Sequence, residues 1–380
     1  MPVQYFGDSR SAPSKAVRVE DRVYCSGVQG RDKATDRLVD GDFSDRACKC
    51  LENLSETLSD AGTSLNNLLS MKIYLRNLRD REALDEVLKK FFPPRNFPAR
   101  TTLEVNRLQG DSDLEIDAIA GMEIKSAQFF GTAEGFSLAV RHGNHLYISG
   151  DITVADTLKP KAEEDFESEV RLCFDRIRST LETAGASLDR LFSTRVYIGN
   201  MRDRAIVNKV SKELYHINPL RVIVECPRFP NRHSLLIEGE AHYGDFEVLS
   251  TTKGQKPTGP FSQGVRMGDL VYCSGVRPID PSTGLLVEGD VSARAIQCFR
   301  NLEAILTVGG ASWQDVFEVR FYLRNLADTP IVHNLLSGLR KAKSMPAVTA
   351  IEISRLNEDY EKGWKPNHDV EIQCSAYKGQ

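Results

Sequence analysis

Residues 291–306 carry apolar side chains at the spacing of one face of an α-helix. Gly309 and Gly310 follow this segment, and glycine there is typical of a helix C-terminus. Residues 316–325 (VFEVRFYLRN) are rich in β-branched and aromatic residues and predict a strand. The apolar face of the predicted helix consists of Val291, Ala295, Cys298, Leu302, Ile305 and Leu306.

Pairs of strands flank this helix–strand unit. Residues 136–150 (FSLAVRHGNHLYISG) surround Gly143 and Asn144, a pair that predicts a tight hairpin turn. A shorter helix follows the middle strand, and two strands close the unit, as in residues 98–108 (PARTTLEVNRL) and 114–120 (LEIDAIA). The predicted order of elements is therefore ββαβαββ.

This pattern occurs three times. The motifs RVYCSGVQG, HLYISGDIT and LVYCSGVRP place Ser26, Ser149 and Ser274 at intervals of 123 and 125 residues. A second block, which starts at residues 52, 175 and 300, keeps the same intervals. Two blocks with the same offsets indicate three divergent copies of one unit. The predicted domains are residues 1–125, 126–248 and 249–380, joined by connectors that contain Gly and Ser/Thr.

A sheet that carries both helices on one face must bury its other face elsewhere. Two further copies of the same sheet can cover that face. We therefore expect an α/β (α+β) protein whose three units form an intramolecular pseudo-trimer, with a β-lined centre, helices outside and clefts between the units.

Composition and charge narrow the class of partner. The 380 residues are 41% apolar and 27% charged, and the net charge is −4. This acidic balance disfavours a nucleic-acid surface, and no apolar run reaches the length of a membrane span. The first 15 residues lack the apolar core of a signal peptide, so we expect a cytoplasmic protein. The eight cysteines form no CxxC pair and the seven histidines show no paired-ligand spacing, which predicts thiols and no metal.

The closing strands contain the candidate chemistry. Arg100 and Arg221 each stand two residues after a proline, and Val348 takes that place in the third copy. A buried guanidinium needs an anionic partner and can bind a carboxylate through two parallel hydrogen bonds. A neighbouring glutamate can exchange a proton with water. The candidate glutamates on the following strands are Glu115, Glu238 and Glu371. Alternatively, Arg100–Glu115 and Arg221–Glu238 are structural ion pairs.

Several motifs resemble the reactive-intermediate deaminase family (Rid, formerly YjgF). They are the SGx strand end, the AGASLD-like block and the PAR…EIDAIA ending, and residues 259–265 (GPFSQGV) are similar to the family segment GPYSQAV. The resemblance covers nearly the whole chain, one family unit per copy. Family members are usually homotrimers with a chorismate-mutase-like fold, so the resemblance implies such a trimer fused into one polypeptide.

The resemblance implies hydrolysis of reactive enamines and imines, such as 2-aminoacrylate, to 2-oxo acids and ammonia, without a cofactor. It assigns the substrate carboxylate to Arg100 and Arg221, and it assigns the positioning or activation of water to the three glutamates. The small carboxylate-bearing metabolite would bind in clefts between units. The further substrate-binding positions are Ser26, Ser149, Ser274, Asn208, Phe136 and Phe261.

The copies depart from the family pattern in different ways. The family tyrosine is replaced by Phe136, Phe261 and, in the first copy, Pro13. Asn208 corresponds to Asp85 in copy one and His333 in copy three. Because valine cannot bind a carboxylate, at most two clefts are expected to be competent.

The interval from the arginine position to the candidate glutamate grows from 15 to 17 to 23 residues. The last interval contains an insertion, residues 356–368, whose Trp364 and His368 are candidates to cover a cleft.

Other functions remain open at this point. One is hydrolysis or rearrangement of a larger carboxylate in a biosynthetic route, since chorismatases use a related fold. Another is a metabolite-binding protein without turnover, and Val348 fits that function best. Ribonuclease activity fits least, because the chain lacks a basic stripe rich in aromatic residues. Further self-association of the fused ring is also open.

Overall fold

A computed structural model describes most of the chain. The insertion residues Trp364 and His368 lie outside the described part. The described residues are 3–7, 12–92, 96–123, 126–133, 135–151, 165–341, 344–356 and 369–379.

Each copy contains two helices and a mixed sheet. Copy one consists of β1 (Gln4–Phe6), β2 (Ala16–Val19), β3 (Arg22–Cys25), α1 (Phe43–Asp60), β4 (Leu68–Leu75), α2 (Arg81–Phe91), β5 (Ala99–Glu104) and β6 (Leu114–Gly121). Copy two consists of β7 (Ala127–Ala133), β8 (Phe136–His142), β9 (His145–Ile148), α3 (Phe166–Thr183), β10 (Leu191–Ile198), α4 (Arg204–Leu214), β11 (Leu220–Glu225) and β12 (Leu235–His242). Copy three consists of β13 (Glu247–Leu249), β14 (Gly264–Met267), β15 (Leu270–Cys273), α5 (Val291–Val308), β16 (Val316–Leu323), α6 (Thr329–Leu339), β17 (Ala347–Glu352), β18 (Arg355–Leu356) and β19 (Val370–Tyr377).

The predicted order ββαβαββ is confirmed, with one additional strand at the start of each copy and, in copy three, the short strand β18 between the two closing strands. The additional strands β1, β7 and β13 pair antiparallel with the first hairpin strand. The strand β7 lies where the sequence suggests a connector. Its Phe129 pairs with Val140, so the β preference of its two adjacent phenylalanines outweighs Gly131, which takes a left-handed conformation with φ 56°.

The predicted long helix of copy three has the expected limits. Asp290 caps its N-terminus by accepting a hydrogen bond from the N–H of Ala293. The helix ends at Val308, and Gly310 takes the left-handed conformation (φ 78°) that glycine tolerates best. The predicted apolar face is buried from Ala295 to Leu306, and only Val291 at the first turn is half-buried.

Within a copy the middle strand has an antiparallel neighbour and a parallel neighbour. In copy three β16 pairs antiparallel with β19 and parallel with β17. A parallel neighbour requires a crossover connection, which α6 supplies. The strand β15 of the hairpin pairs with the other edge of β19. The two helices pack side by side on one face of this sheet, because residues of both helices share one apolar cluster with alternate residues of β16.

The other face of each sheet packs against the other two copies. Along β16, Val319, Phe321 and Leu323 contact the helices, whereas Phe317 and Tyr322 belong to clusters that draw on all three copies. Equivalent tyrosines of the three copies meet in these shared clusters, and this burial accounts for the second apolar face predicted from the layer argument. The shared tyrosines are Tyr24, Tyr147 and Tyr272 in one cluster and Tyr74, Tyr197 and Tyr322 in the other.

Charged side chains lie between these two apolar clusters. Arg195 pairs with Glu238 at 3.0 Å, and Arg320 pairs with Asp117 of copy one at 3.3 Å. Lys72 lies 3.8 Å from Glu238. All of these groups are buried, so removal of one partner would leave an uncompensated charge in the interior.

A serine hydroxyl joins neighbouring copies at each of three junctions. At the 2–3 junction, where β11 of copy two meets the hairpin of copy three, Ser274 Oγ accepts from the Arg221 N–H at 2.9 Å. The same hydroxyl donates to the Ser262 carbonyl at 2.6 Å. Ser149 bridges Arg100 and Ser137 in this way at the 1–2 junction, and Ser26 bridges Val348 and Ser14 at the 3–1 junction.

Ser274→Ala should lower the free energy of unfolding by about 1–3 kcal/mol, because it leaves the buried amide of Arg221 without its acceptor. The measurement is urea denaturation followed by circular dichroism. Ser59→Ala, at an exposed position of α1, is the control and should change stability by less than about 0.5 kcal/mol. Equal effects of the two changes would contradict a bridging function for Ser274.

Candidate active site

The strand register makes Arg100, Arg221 and Val348 equivalent. They lie opposite Met71, Thr194 and Val319 of the parallel neighbouring strand. The register confirms that the third copy has valine at the arginine position. In each copy this residue is the second of its strand and lies at the junction with the next copy.

The register does not make the three candidate glutamates equivalent. Glu115 lies opposite Tyr74 and Glu371 lies opposite Tyr322, but the residue opposite Tyr197 is Leu236. Glu238 lies opposite Arg195, two residues further along the strand. The prediction that Glu238 is equivalent to Glu115 and Glu371 is therefore wrong.

The 2–3 junction brings Arg221 of copy two to Glu371 of copy three. The guanidinium of Arg221 is buried and lies over the ring of Phe261 at 4.8 Å. Its Nη1 donates to Asn208 Oδ1 at 2.7 Å, whereas its Nη2 has no hydrogen-bond partner among the described residues. Burial and the nearby Arg204 lower the pKa of Arg221 to about 10, so the group keeps its charge at neutral pH.

Glycine allows the carboxyl group of Glu371 to approach the backbone at this junction. A Cβ on Gly275 would collide with Glu371 Oε1, and the N–H of Gly275 donates to the Arg221 carbonyl at 3.1 Å. The carboxyl group is therefore held beside the strand that carries Arg221. Burial raises the pKa of Glu371 from an ordinary 4.5 to about 7, although the positive charges of Arg277 and Arg221 oppose this shift.

The 1–2 junction has an arginine whose charge is already balanced. Arg100 Nε donates to Asp151 Oδ2 at 2.8 Å, and its Nη1 donates to Asp85 Oδ1 at 2.6 Å. The buried Asp151 also accepts from the N–H of Thr102 at 2.7 Å and pairs with Arg81 at 3.2 Å. The carboxylate of Asp151 thus occupies the place of an anionic ligand, and Arg100 forms structural ion pairs.

The 1–2 junction also lacks the glutamate. A Cβ on Gly150 would lie 2.6 Å from a methyl carbon of Leu236, which takes the place that Glu371 has beside Gly275. Glu238 does reach this junction, where its Oε2 accepts from Thr101 Oγ1 at 2.5 Å. Its other oxygen pairs with Arg195, so this carboxylate belongs to the buried charged side chains that lie between the two shared apolar clusters.

The 3–1 junction has the glutamate without the arginine. A Cβ on Gly27 would collide with the carboxyl group of Glu115, as at the 2–3 junction. Glu115 Oε2 accepts from Gln29 Nε2 at 2.7 Å, and burial raises the pKa of Glu115 to about 7. Val348 and His333 stand where the 2–3 junction has Arg221 and Asn208.

The intra-copy ion pairs Arg100–Glu115 and Arg221–Glu238, which were the alternative interpretation of the sequence, are not present among the ion pairs of the described residues. Each arginine side chain meets residues of the next copy instead, and only the 2–3 junction combines an arginine with a glutamate at the equivalent positions. Phe136 and Phe261 do pack on the arginines, at 5.2 and 4.8 Å.

The serines Ser26, Ser149 and Ser274 use their only hydroxyl protons on backbone carbonyls, so they cannot donate a hydrogen bond to a substrate. Their geometry favours positioning of the neighbouring strand.

Three residues near the junctions were not singled out from the sequence. Gln29 and Arg277 both stand three residues after the bridging serine. Gln29 lowers the pKa of Glu115 through a hydrogen bond, and Arg277 lowers the pKa of Glu371 through its charge; in both cases burial has the larger, opposite effect. Asp151 was detectable, because SGD in copy two departs from SGV in the other copies. A constant interval of 15 residues from arginine would likewise have identified Leu236.

No group of three or more metal-ligating side chains is present in the part of the chain that the structure describes. All eight cysteines are thiols, and seven of them are buried. Across the same ranges, no helix has the length and apolar character needed to cross a membrane.

Comparison with known proteins identifies the family. Residues 9–122, 127–242 and 251–378 each match the family described as endoribonuclease L-PSP. The chain therefore belongs to this family and contains three tandem family units, as the resemblance to Rid proteins predicts.

Individual relatives match one unit of the chain. A RutC family protein of Pyrococcus abyssi is 37% identical over 132 residues, which are 35% of this chain and 97% of the relative. The 2-iminobutanoate/2-iminopropanoate deaminase of Homo sapiens is 35% identical over 107 residues, 28% of this chain and 77% of the relative. The solved structure of the Rid family protein YyfA from Yersinia pestis is 26% identical and covers 35% of this chain and 99% of its own, with a TM-score of 0.32.

Asp151→Val should lower the free energy of unfolding by about 3–5 kcal/mol, because it leaves the buried Arg100 without its main partner. Valine is the residue that copies one and three carry after the SG pair. The double change Arg100→Val/Asp151→Val reproduces the valine pair of the 3–1 junction and should restore part of the loss. The measurement is calorimetric melting. A double variant less stable than Asp151→Val would contradict the structural ion pair.

The stability of Glu371→Gln relative to the wild type should increase with pH. Because the folded pKa of Glu371 is raised to about 7 from 4.5, its stabilising effect is complete below pH 4.5 and is lost as pH rises to 7. Glutamine does not titrate, so the difference in unfolding free energy should shift by on the order of 1–3 kcal/mol between pH 5 and pH 8. Urea denaturation at both pH values measures it. The exposed Glu288→Gln is the control, and an identical shift there would contradict the assignment.

Proposed function

We propose that the chain is a single-chain pseudo-trimer that hydrolyses 2-imino acids to 2-oxo acids and ammonia at the 2–3 junction. The observation that carries this proposal is the pairing of a buried arginine, whose Nη2 lacks a partner among the described residues, with a glutamate whose pKa is about 7. The deaminase names of relatives such as the human protein support it.

Arg221 binds the carboxylate of the substrate. A buried guanidinium without a hydrogen-bonded anion is unfavourable, and an incoming carboxylate can satisfy its free N–H groups. Asn208 fixes one end of the guanidinium and Phe261 supports its plane, so the group is oriented before the ligand arrives. A Cβ on Gly259 would lie 2.6 Å from Arg221 Nη2, so glycine there keeps this side of the guanidinium open.

Glu371 transfers the protons of the reaction. In the ionised form it accepts a proton from water as the water oxygen bonds to C2 of the iminium group, and the C=N π electrons move to nitrogen. The protonated Glu371 then returns the proton to the amino nitrogen of the tetrahedral intermediate. The C–N bond breaks, ammonia leaves, and the remaining hydroxyl gives its proton to the again ionised Glu371, which passes it to water, so that the 2-oxo acid forms. A pKa near 7 allows both steps at neutral pH.

This assignment gives the two other junctions no deaminase activity. The 1–2 junction has Arg100 neutralised by Asp151 and has Leu236 in place of glutamate. The 3–1 junction has Glu115 but no cation at Val348. We therefore propose one active site per chain.

Arg221→Met should reduce kcat/KM for imine hydrolysis by at least about 100-fold, because it removes the charged hydrogen bonds to the substrate carboxylate. An L-amino-acid oxidase generates imines of leucine, methionine and phenylalanine in the assay, and semicarbazide traps the imine that remains. Hydrolysis by the enzyme leaves less imine to be trapped, so the decrease in semicarbazone absorbance measures the rate of hydrolysis.

Arg100→Met is the matched control, since it makes the same change at the equivalent position of copy one. It should lower stability but leave the activity of the folded protein within about twofold of wild type. Loss of activity in Arg100→Met with retention in Arg221→Met would place the reaction at the 1–2 junction. A wild type inactive on small and bulky imines alike would refute the deaminase proposal and favour a larger carboxylate substrate.

A further inference from the structure

The 3–1 junction contains a cavity of about 780 Å³, lined by residues of copies one and three. Its lining includes Glu115, Gln29, Val348, Ala350 and His333. This volume lies within the usual range for a small-molecule site, and the wall combines an apolar side with a few polar groups. The proposed reaction makes no use of it.

Two coordinated substitutions remove the means of binding a carboxylate here. Where the 2–3 junction has the hydrogen-bonded pair Arg221–Asn208, this junction has Val348 and His333. Burial lowers the pKa of His333 to about 4, so its ring is neutral at physiological pH. Its Nε2 has no hydrogen-bond partner among the described residues. This part of the cavity thus combines the apolar side chains Val348 and Ala350 with the neutral ring of His333 and the carboxyl group of Glu115, and it has no buried cation among the described residues.

Arg31, whose positive charge lowers the pKa of Glu115, already has hydrogen-bond partners. Arg31 Nε donates to Gln29 Oε1 at 2.7 Å, and Nη1 donates to the Asp36 carbonyl at 2.6 Å. Its Nη2 donates to the carbonyls of Gln109 and Gly110 at 3.2 and 3.1 Å. These bonds use four of the five N–H groups of a guanidinium. Arg31 therefore orients Gln29 and has little capacity left for an anionic ligand.

In its protonated form the carboxyl group of Glu115 is neutral, as is the ring of His333, and together they offer a hydrogen-bond donor and acceptors. Gln29 holds the carboxyl group of Glu115 in place at 2.7 Å. An anionic ligand beside this carboxyl group would be repelled, and no buried cation would compensate it. A ligand with one donor and one acceptor, together with a short branched apolar end, would match Glu115 and His333 on one side and Val348 and Ala350 on the other.

We propose that the 3–1 junction is a second ligand site, which binds a small uncharged molecule of the carboxamide type and rejects carboxylates. The site differs from the 2–3 junction in ligand class, so one chain would recognise two kinds of small molecule. The proposal stands on the cavity and its lining residues and does not depend on deaminase activity at the other junction.

Three probes of nearly the same shape test this selectivity: isobutyramide (neutral), isobutyrate (anionic) and isobutylamine (cationic). The full-length protein carries Arg221→Met, so that the 2–3 junction cannot retain isobutyrate. Saturation-transfer NMR at pH 7 measures binding to the ligand methyl groups. Isobutyramide should bind in the millimolar range, and the two charged probes should bind at least about tenfold more weakly.

Two further variants locate the site. Ala350→Ile introduces the residue that copy two has at the equivalent position, Ile223, and should fill the cavity and abolish isobutyramide binding. Val348→Arg/His333→Asn transfers the arginine and asparagine of the 2–3 junction and should reverse the preference in favour of isobutyrate by about tenfold. Melting temperatures confirm that each variant is folded.

Three results would overturn the proposal. One is a wild-type site that binds isobutyrate or isobutylamine as well as isobutyramide. Another is the absence of isobutyramide binding up to roughly 50 mM, a concentration that exceeds the expected dissociation constant. The last is isobutyramide binding that survives Ala350→Ile, which would place the bound ligand elsewhere on the protein.

Discussion

The hydrogen bonds of three serine hydroxyls fix the geometry on which the candidate sites depend. Each hydroxyl accepts from the backbone N–H of the residue at the arginine position and donates to a carbonyl of its own copy. At the 2–3 and 3–1 junctions the glycine after the serine is also the point where the glutamate carboxyl group approaches, so one short segment sets the distance between the glutamate and the residue at the arginine position. A side chain at the arginine position therefore meets the next copy wherever it occurs.

Fusion into one chain explains how three junctions with the same backbone can have different chemistry. In a homotrimer any substitution appears at every junction, so the loss of one arginine or glutamate would remove all sites together. Here each junction combines its own residues. The 1–2 junction has an internal ion pair between Arg100 and Asp151, the 2–3 junction has Arg221 and Glu371, and the 3–1 junction has Glu115 in a cavity without the arginine.

The sequence predicts the elements better than the partners across copies. The spacing of apolar residues predicted α5, and the turn residues Gly143 and Asn144 predicted the hairpin, because both elements depend on local preferences. The sequence could not show that Asp151 contacts Arg100, because that contact joins residues of two copies. Glu238 was misplaced because the copies were aligned on a glutamate. The strand pairing shows that Leu236 occupies the equivalent position, as an alignment on the 15-residue interval from the arginine would have indicated.

The energetic cost of a buried guanidinium is balanced differently at the 1–2 junction and at the 2–3 junction, where we propose the active site. At the 1–2 junction Asp85 and Asp151 balance that cost within the protein, so no ligand is needed and none can compete with two fixed carboxylates. At the 2–3 junction Arg221 has only the neutral amide of Asn208 as a hydrogen-bonding partner among the described residues. Because such an arrangement is unfavourable for folding alone, it persists where a ligand completes it. Arg221, which the fold leaves without a full set of partners among the described residues, is for this reason the residue that we propose binds the substrate.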